Sequence, residues 1–203
     1  MKKIRYLAFV LGLVLIPTIA AAETDGELGI AVVEKLHASL LNVMKEANSM
    51  GFGGRVDTLS PVVNETFDFS TISRIVTGKH WKSLNDEDKA AFVSLFSELS
   101  VATYAANFNG YSGEVFETVG VEEKRANLLV KSVIVKADGE RIPLDYLLRK
   151  DNEVWRIVNV IADGVSDLSL KRADYTAVIK SEGFNSLITR LSDKIANYNS
   201  PGR

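Results

Sequence analysis

The spacing of apolar residues changes character twice along the chain. From Glu27 to Met50, Ile30, Val33, Leu36, Leu40, Val43 and Ala47 recur at three- and four-residue steps, the period of a helix with one buried face. Gly51-Phe52-Gly53-Gly54 predicts its end. A shorter helix is expected over 55–64, with a kink or break near Pro61. Asp68 stands where a cap belongs for a helix through Ile72, Ile75 and Val76 that Gly78 closes. Asn85 caps the next, longer helix, and Asp86, Glu87 and Asp88 sit at its positive end. On that helix Val93, Phe96, Leu99, Thr103 and Tyr104 share a broad face, which Phe92 and Phe108 extend. The stripe is wide for a helix that touches one partner.

After Asn109-Gly110-Tyr111-Ser112-Gly113 the period drops to two. Strands are predicted over 114–119 and 126–137, and Asp138-Gly139 marks a tight hairpin after them. The stretch from Arg141 to Ser166 follows, around which the rest of the chain is organised. In its first strand Ile142, Leu144, Tyr146 and Leu148 alternate with Pro143, Asp145, Leu147 and Arg149. A turn at Asp151-Asn152-Glu153 leads into its second strand. There Val154, Arg156, Val158 and Val160 fall on one side, and Trp155, Ile157, Asn159 and Ile161 on the other. Apolar residues on both sides predict a central strand, or one that faces a core and also a cavity. Two last helices are expected over 166–181 and 183–198, then a loose tail over 199–203. The fold class is α+β: helices, a four-stranded antiparallel meander, then helices, enclosing an apolar pocket. One domain is expected over 23–198, with a helical part at 25–110, the sheet at 114–162 and closing helices at 166–198.

Composition adds a compartment. Lys2, Lys3 and Arg5 precede an apolar run from Leu7 to Ile19 and the small residues Ala20-Ala21-Ala22. This is the pattern of a signal peptide over 1–22, cleaved after Ala22, with retention as an anchor the alternative. The run is short of the roughly 20 residues that span a bilayer. Without the three leader cations, the remaining basic residues face 26 acidic ones at a net of −5. That balance argues against a nucleic-acid partner. The chain has no Cys, which excludes a lipoprotein anchor, thiol catalysis, disulfides and thiolate metal sites.

Chemistry-bearing motifs are sparse. His37 and His80 have no metal-ligand spacing, and no metal is expected. His37, beside the apolar face of the first helix, reads as structural or interfacial, and His80 as a surface residue. No nucleophile elbow, phosphate loop or dinucleotide fingerprint occurs, and no cofactor is implied. Asp145 and Asp163 are the candidates for a carboxylate base near a pocket mouth. For Asp145 an ion pair with Arg149 competes with that role. Ser166 reads as a helix cap. The aromatic residues Phe67, Phe69, Trp81, Phe92, Phe96, Tyr104, Phe108, Tyr111, Phe116, Tyr146, Trp155 and Tyr175 fill a core, line a site for a hydrophobic ligand, or do both.

The segment LDYLLRKDNEVWRIVNVIADGVS resembles the sheet-end signature of the MlaC-like (toluene-tolerance) periplasmic lipid-carrier family. The matching pieces are Asp145-Tyr146, Arg149-Lys150, Trp155-Arg156-Ile157 and Asp163-Gly164-Val165-Ser166, where many members carry Glu in place of Asp163. Phe67-Asp68-Phe69, Gly78-Lys79-His80-Trp81 and Ser181-Glu182-Gly183-Phe184 agree as well. Within the family, Leu99 to Tyr104 and Phe108 to Glu114 resemble the HpnM branch, associated with hopanoid synthesis. The resemblance implies a non-catalytic shuttle with a helical part and a curved, NTF2-like sheet, and since a carrier works well alone a monomer is expected. It would hold a hopanoid or phospholipid between them. Implied partners are an inner-membrane transporter of ABC/MCE or RND type and an outer-membrane lipoprotein complex. Position and resemblance together place Phe96, Tyr104, Phe108, Tyr146, Trp155 and Ile157 on the pocket wall, with Val133 and Val165 as additions. Arg149 is placed at the mouth. Two other readings stay open: a lipid-free envelope adaptor, and an NTF2-like enzyme with an aspartate base.

Overall fold

In a computed structural model of the chain, residues 23–199 are described. The predicted leader over 1–22 lies outside them, as do residues 200–203 of the predicted tail. Thr24 and Glu27 open the fold with a reciprocal cap. The Thr24 hydroxyl accepts from the Glu27 N–H at 3.3 Å, and the Glu27 carboxylate accepts from the Thr24 N–H at 2.8 Å. The first helix, α1 (Asp25–Lys45), therefore starts ahead of its apolar stripe. Val33, Leu36, Leu40 and Val43 are fully buried along it.

The chain turns at Glu46 into α2 (Ala47–Thr66), which is interrupted at Gly51 by φ 61° and ψ −175°, a left-handed φ that glycine adopts without strain. The glycine run is a kink inside a helix and not the stop expected. The break expected near Pro61 is also absent. Pro61 is exposed, and Leu59, Val62, Val63 and Thr66 bury the opposite face. Asp57, whose carbonyl the missing N–H leaves without its helical donor, is an exposed residue, and the packing keeps the helix whole. Buried Arg55 ties the two sides of the kink to a later helix: its Nη1 donates to the Ala47 carbonyl at 3.1 Å and its Nε to the carbonyl of Ala105, further along the chain, at 2.8 Å.

Asp68 caps α3 (Phe69–Thr77), accepting from the Thr71 N–H at 2.8 Å, and Gly78 closes it. A 3-10 turn over Gly78–Ser83 leads to α4 (Asp86–Asn107), capped by Asn85. The strands β1 (Val115–Lys124), β2 (Asn127–Val135), β3 (Arg141–Asp151), β4 (Val154–Ala162) and β5 (Val165–Ser166) form one antiparallel meander in chain order. Then come α5 (Asp167–Glu182) and α6 (Phe184–Asn199). The sheet has five strands where four were expected. Asp163 and Gly164, at φ 49° and 77°, reverse the chain so tightly that Val165 pairs back onto Ala162.

The register of β4 corrects the alternation read from sequence. Leu148 faces Ile157 and Leu147 faces Asn159, so Val158 is an extra, unpaired residue. This bulge shifts the phase. Trp155 and Ile157 share a face with Val160 and Ala162, opposite Lys150, Leu148, Tyr146 and Leu144. The strand that seemed apolar on both sides carries one apolar face with a step in it. That face, with Leu128 and Val130 of β2, packs under α1. The other face carries exposed ion pairs such as Glu122–Lys131 and Arg141–Glu117.

Candidate functional site: an apolar cavity at the sheet end

Beyond the bulge the helices lift away from the sheet and leave a cavity of about 340 Å³. Leu144, Val158, Val160 and Ala162 form its sheet side. The second half of α4 supplies Phe96, Leu99, Ser100, Thr103 and Tyr104, with Asn107 and Phe108 at its end. Phe67, Phe69 and Ile72 close the inner end, and Leu168 the side towards α5. The aromatic rings form a continuous wall. Phe67 stacks on Phe69 with centroids 5.6 Å apart and meets Tyr104 at 5.9 Å, and Tyr104 stacks on Phe108 at 5.8 Å. Burial, with the Asp167 charge nearby, raises the Tyr104 phenol well above its ordinary value, so it stays protonated.

The rim is polar. Asn159, Asp167, Lys171 and Lys194 border it. The Asn159 Oδ1 accepts from the Ser166 hydroxyl and from the Leu168 N–H, both at 3.1 Å, which fixes the start of α5 there. Ser166 is the cap of α5, accepting from the Ser169 N–H at 3.1 Å. The Lys171 ammonium pairs with Asp167. Lys194 forms no salt bridge among the described residues. The lining at the mouth thus includes two ammonium groups and one carboxylate.

Of the residues placed on the wall from sequence, Phe96, Tyr104 and Phe108 border the cavity. The others do not. Ile157 lies before the bulge, fully buried, with its carbonyl accepting from the Asp68 N–H at 2.9 Å. Tyr146 is packed under α1, its hydroxyl 3.0 Å from the His37 Nε2. Trp155 is pinned at the far end of the strand, where its Nε1 donates to Asp25 at 3.0 Å. Val133 lies on the outer face, opposite Pro143 and Glu117. Val165 is 51% exposed on the short return strand. Arg149 is away from the mouth, its Nη1 donating to the Thr71 hydroxyl at 3.3 Å. It does not pair with Asp145, which accepts from the Ser132 N–H at 3.2 Å. Neither Asp145 nor Asp163 borders the cavity. Phe67 and Phe69 carried a signal in the aromatic inventory, whereas Lys171 and Lys194 reach the rim only through the docking of α5 and α6.

A second cavity of about 260 Å³ lies between α1 and β1, bordered by Glu34, His37, Ala38, Leu41, Val115, Phe116 and Thr118. The His37 ring stacks on Phe116 with centroids 4.4 Å apart. Burial pushes the His37 pKa down to about 4, so the ring is neutral at pH 7. Among the described residues no cluster of His, Cys, Asp or Glu is arranged to hold a metal, and no helix is long and apolar enough to cross a membrane.

Fold and cavity together define an α+β protein built around an internal apolar compartment with a charged rim. The family model described as MlaC protein matches residues 34–193, and the chain belongs to the MlaC family. It is 26% identical over 195 residues to the intermembrane phospholipid transport system binding protein MlaC of Haemophilus influenzae, covering 91% of this chain and 89% of that protein. It also superposes on a phospholipid-binding protein from Ralstonia solanacearum, solved in complex with a phospholipid. The TM-score there is 0.75 at 17% identity, over 85% of this chain and 99% of the other. That likeness bears on the fold, which is the NTF2-like arrangement of curved sheet and helices.

Proposed function

We propose that the protein is a periplasmic carrier that holds a lipid in the aromatic cavity, ferries it between the inner and outer membranes, and performs no chemistry on it. The observation that carries this reading is the cavity itself, walled by Phe67, Phe69, Phe96, Tyr104 and Phe108 and opening past Lys171 and Lys194. The names of the two relatives support a phospholipid as cargo. A sixteen-carbon chain in water is unfavourable by roughly 12 kcal/mol, at ~0.8 kcal/mol per CH₂, and an apolar wall recovers most of that. The chains enter the cavity and the anionic headgroup stays at the mouth near Lys194. Export through the leader, one carrier domain over 23–198, monomeric state, and exchange with an inner-membrane transporter and an outer-membrane complex belong to the same proposal.

Native mass spectrometry with lipid extraction, on protein purified from its own envelope, tests it. The expected result is a mature chain beginning at Glu23 with one lipid bound. The mass of that lipid separates a phospholipid from the hopanoid that the HpnM resemblance implies. A lipid-free chain that also refuses both lipids on reconstitution overturns the carrier and leaves the adaptor.

A further inference from the structure

The two edges of the sheet are finished differently. On the β4 side the return strand is two residues long, and the chain at Phe67 bridges to Ile157, whose carbonyl accepts from the Asp68 N–H at 2.9 Å. That edge leaves little to pair with. On the β1 side no strand follows. Val115, Phe116, Glu117 and Thr118 pair with β2 along one side, and among the described residues no other backbone group bonds to them. An edge left so is a template for another strand, and proteins blunt it with lysine, proline, a bulge or a cover. The second half of β1 is blunted by the bulge at Val119 and the charged run Glu122-Glu123-Lys124. The first half has no Lys, no Pro and no bulge.

Nor does α1 cover it. Beside Val115, Phe116 and Thr118 the helix leaves an open depression of about 260 Å³, bordered on its own side by Glu34, His37, Ala38 and Leu41. The His37 ring, uncharged at pH 7, stacks on Phe116, and the Glu34 carboxylate accepts from the Thr118 hydroxyl at 3.3 Å. The depression therefore has an apolar end at Phe116 and an acidic end at Thr118. Glu34 forms no ion pair among the described residues.

A strand laid along this edge alternates its side chains. One opposite Phe116 falls over Ala38 and Leu41, where at about 30 Å³ per atom-sized group there is room for roughly nine, the bulk of one large side chain. One opposite Thr118, two positions away, falls beside Glu34. A second copy of this chain is a poor occupant. Antiparallel self-pairing centred on Phe116 sets Glu114 opposite Thr118 and beside Glu34, and centring it on Glu117 sets like charges directly opposite.

We propose that the edge from Val115 to Thr118 is a docking site for an extended segment of a partner protein. The segment adds a strand to the sheet, seats one large apolar side chain over Ala38 and Leu41, and places a lysine or arginine two residues away against Glu34. The site shares no lining residue with the large cavity and does not depend on what that cavity holds.

Isothermal titration calorimetry on the mature protein tests it with three capped heptapeptides. The first is Thr-Lys-Val-Phe-Val-Lys-Thr, whose two lysines serve either strand direction. The second has glutamate in place of both lysines, and the third is the first with N-methyl groups on the amides that face β1. The first is expected to bind at least tenfold more tightly than either of the others. Ala38→Trp, at an exposed position of α1, fills the seat and is expected to weaken that binding at least tenfold in a protein that stays folded by circular dichroism. Glu34→Lys is expected to reverse the preference between the lysine and glutamate peptides. Failure of the lysine peptide to bind overturns the proposal. Equal binding of the N-methylated peptide overturns the added strand, and an unchanged preference in Glu34→Lys overturns the cation seat. A dimer in sedimentation that Ala38→Trp dissolves puts a second copy on the edge and overturns the partner segment.

Discussion

The bulge at Val158 makes Ile157 and Val160, three residues apart on one strand and on one face, into opposite experiments. Ile157→Asp puts a carboxylate where nothing is exposed, against Phe67 and the core. Losing the isoleucine alone costs about 2–5 kcal/mol. An unpaired buried charge adds several more, against a total stability of about 5–15 kcal/mol. This variant is expected to be unfolded. Val160→Asp points instead into the cavity, where water reaches it in the empty protein. Partial loss of one valine contact costs about 1–2 kcal/mol, a fall in Tm of roughly 2–8 °C for a chain of this size. With lipid bound the same carboxylate lies against hydrocarbon. A penalty of about 3 kcal/mol there weakens loading by more than a hundredfold. The assays are a circular-dichroism melt for the fold and native mass spectrometry for the lipid. A folded Ile157→Asp protein that merely fails to load lipid would put Ile157 on the wall and refute the register argument. A Val160→Asp protein that loads normally would refute the assignment of the cavity as the lipid site.

Reversing the charges at the rim in Lys171→Glu/Lys194→Glu is expected to weaken loading of anionic phospholipids about tenfold more than of zwitterionic ones, with the difference shrinking at high salt; liposome-transfer assays at two ionic strengths check it. His37 has a pKa of about 4 when folded, below its ordinary 6.5, so the unfolded chain takes up the proton first. Its contribution is present above pH 6.5 and is lost as pH falls towards 4, at most about 3 kcal/mol. Urea midpoints between pH 4 and 7 should show a drop that His37→Gln removes. Arg55→Met strips donors from the Ala47 and Ala105 carbonyls and is expected to cost about 3 kcal/mol, read as a lower urea midpoint with an unchanged far-ultraviolet spectrum.

Much of the fold was legible because its signals are local. The caps at Asp68 and Asn85, the stop at Gly78 and the hairpin at Asp138-Gly139 each rest on one or two residues whose backbone preferences settle the matter. The wide stripe on α4 was also readable, and Phe96, Tyr104 and Phe108 came from it. The sheet side of the cavity was not. A bulge inserts one residue without any glycine or proline to mark it, and strict alternation then sends Ile157 to the wall and turns Val160 away. Arg55 carries no signal in the sequence, because its partners are the backbone carbonyls of Ala47 and Ala105, brought to it by the kink and by α4. Tyr146 and Trp155 read as wall residues by strand position and by resemblance, and neither of these carries depth in the packing.

The hydrogen bond from Trp155 to Asp25 joins positions 130 apart in sequence. It has a consequence for the order in which the protein comes into being. A chain that leaves the ribosome or a translocation pore from its N-terminus presents α1 first, and with it Val33, Leu36, Leu40 and Val43. The helix α2 follows at once and covers part of that face, but the strands that cover the rest begin only at Val115, about seventy to eighty residues later. Until then α1 and α2 share an incompletely covered apolar face. Contacts this distant slow folding, and exposed apolar surface in the interval invites aggregation. A chain built this way stays open to aggregation until its last strands are in place.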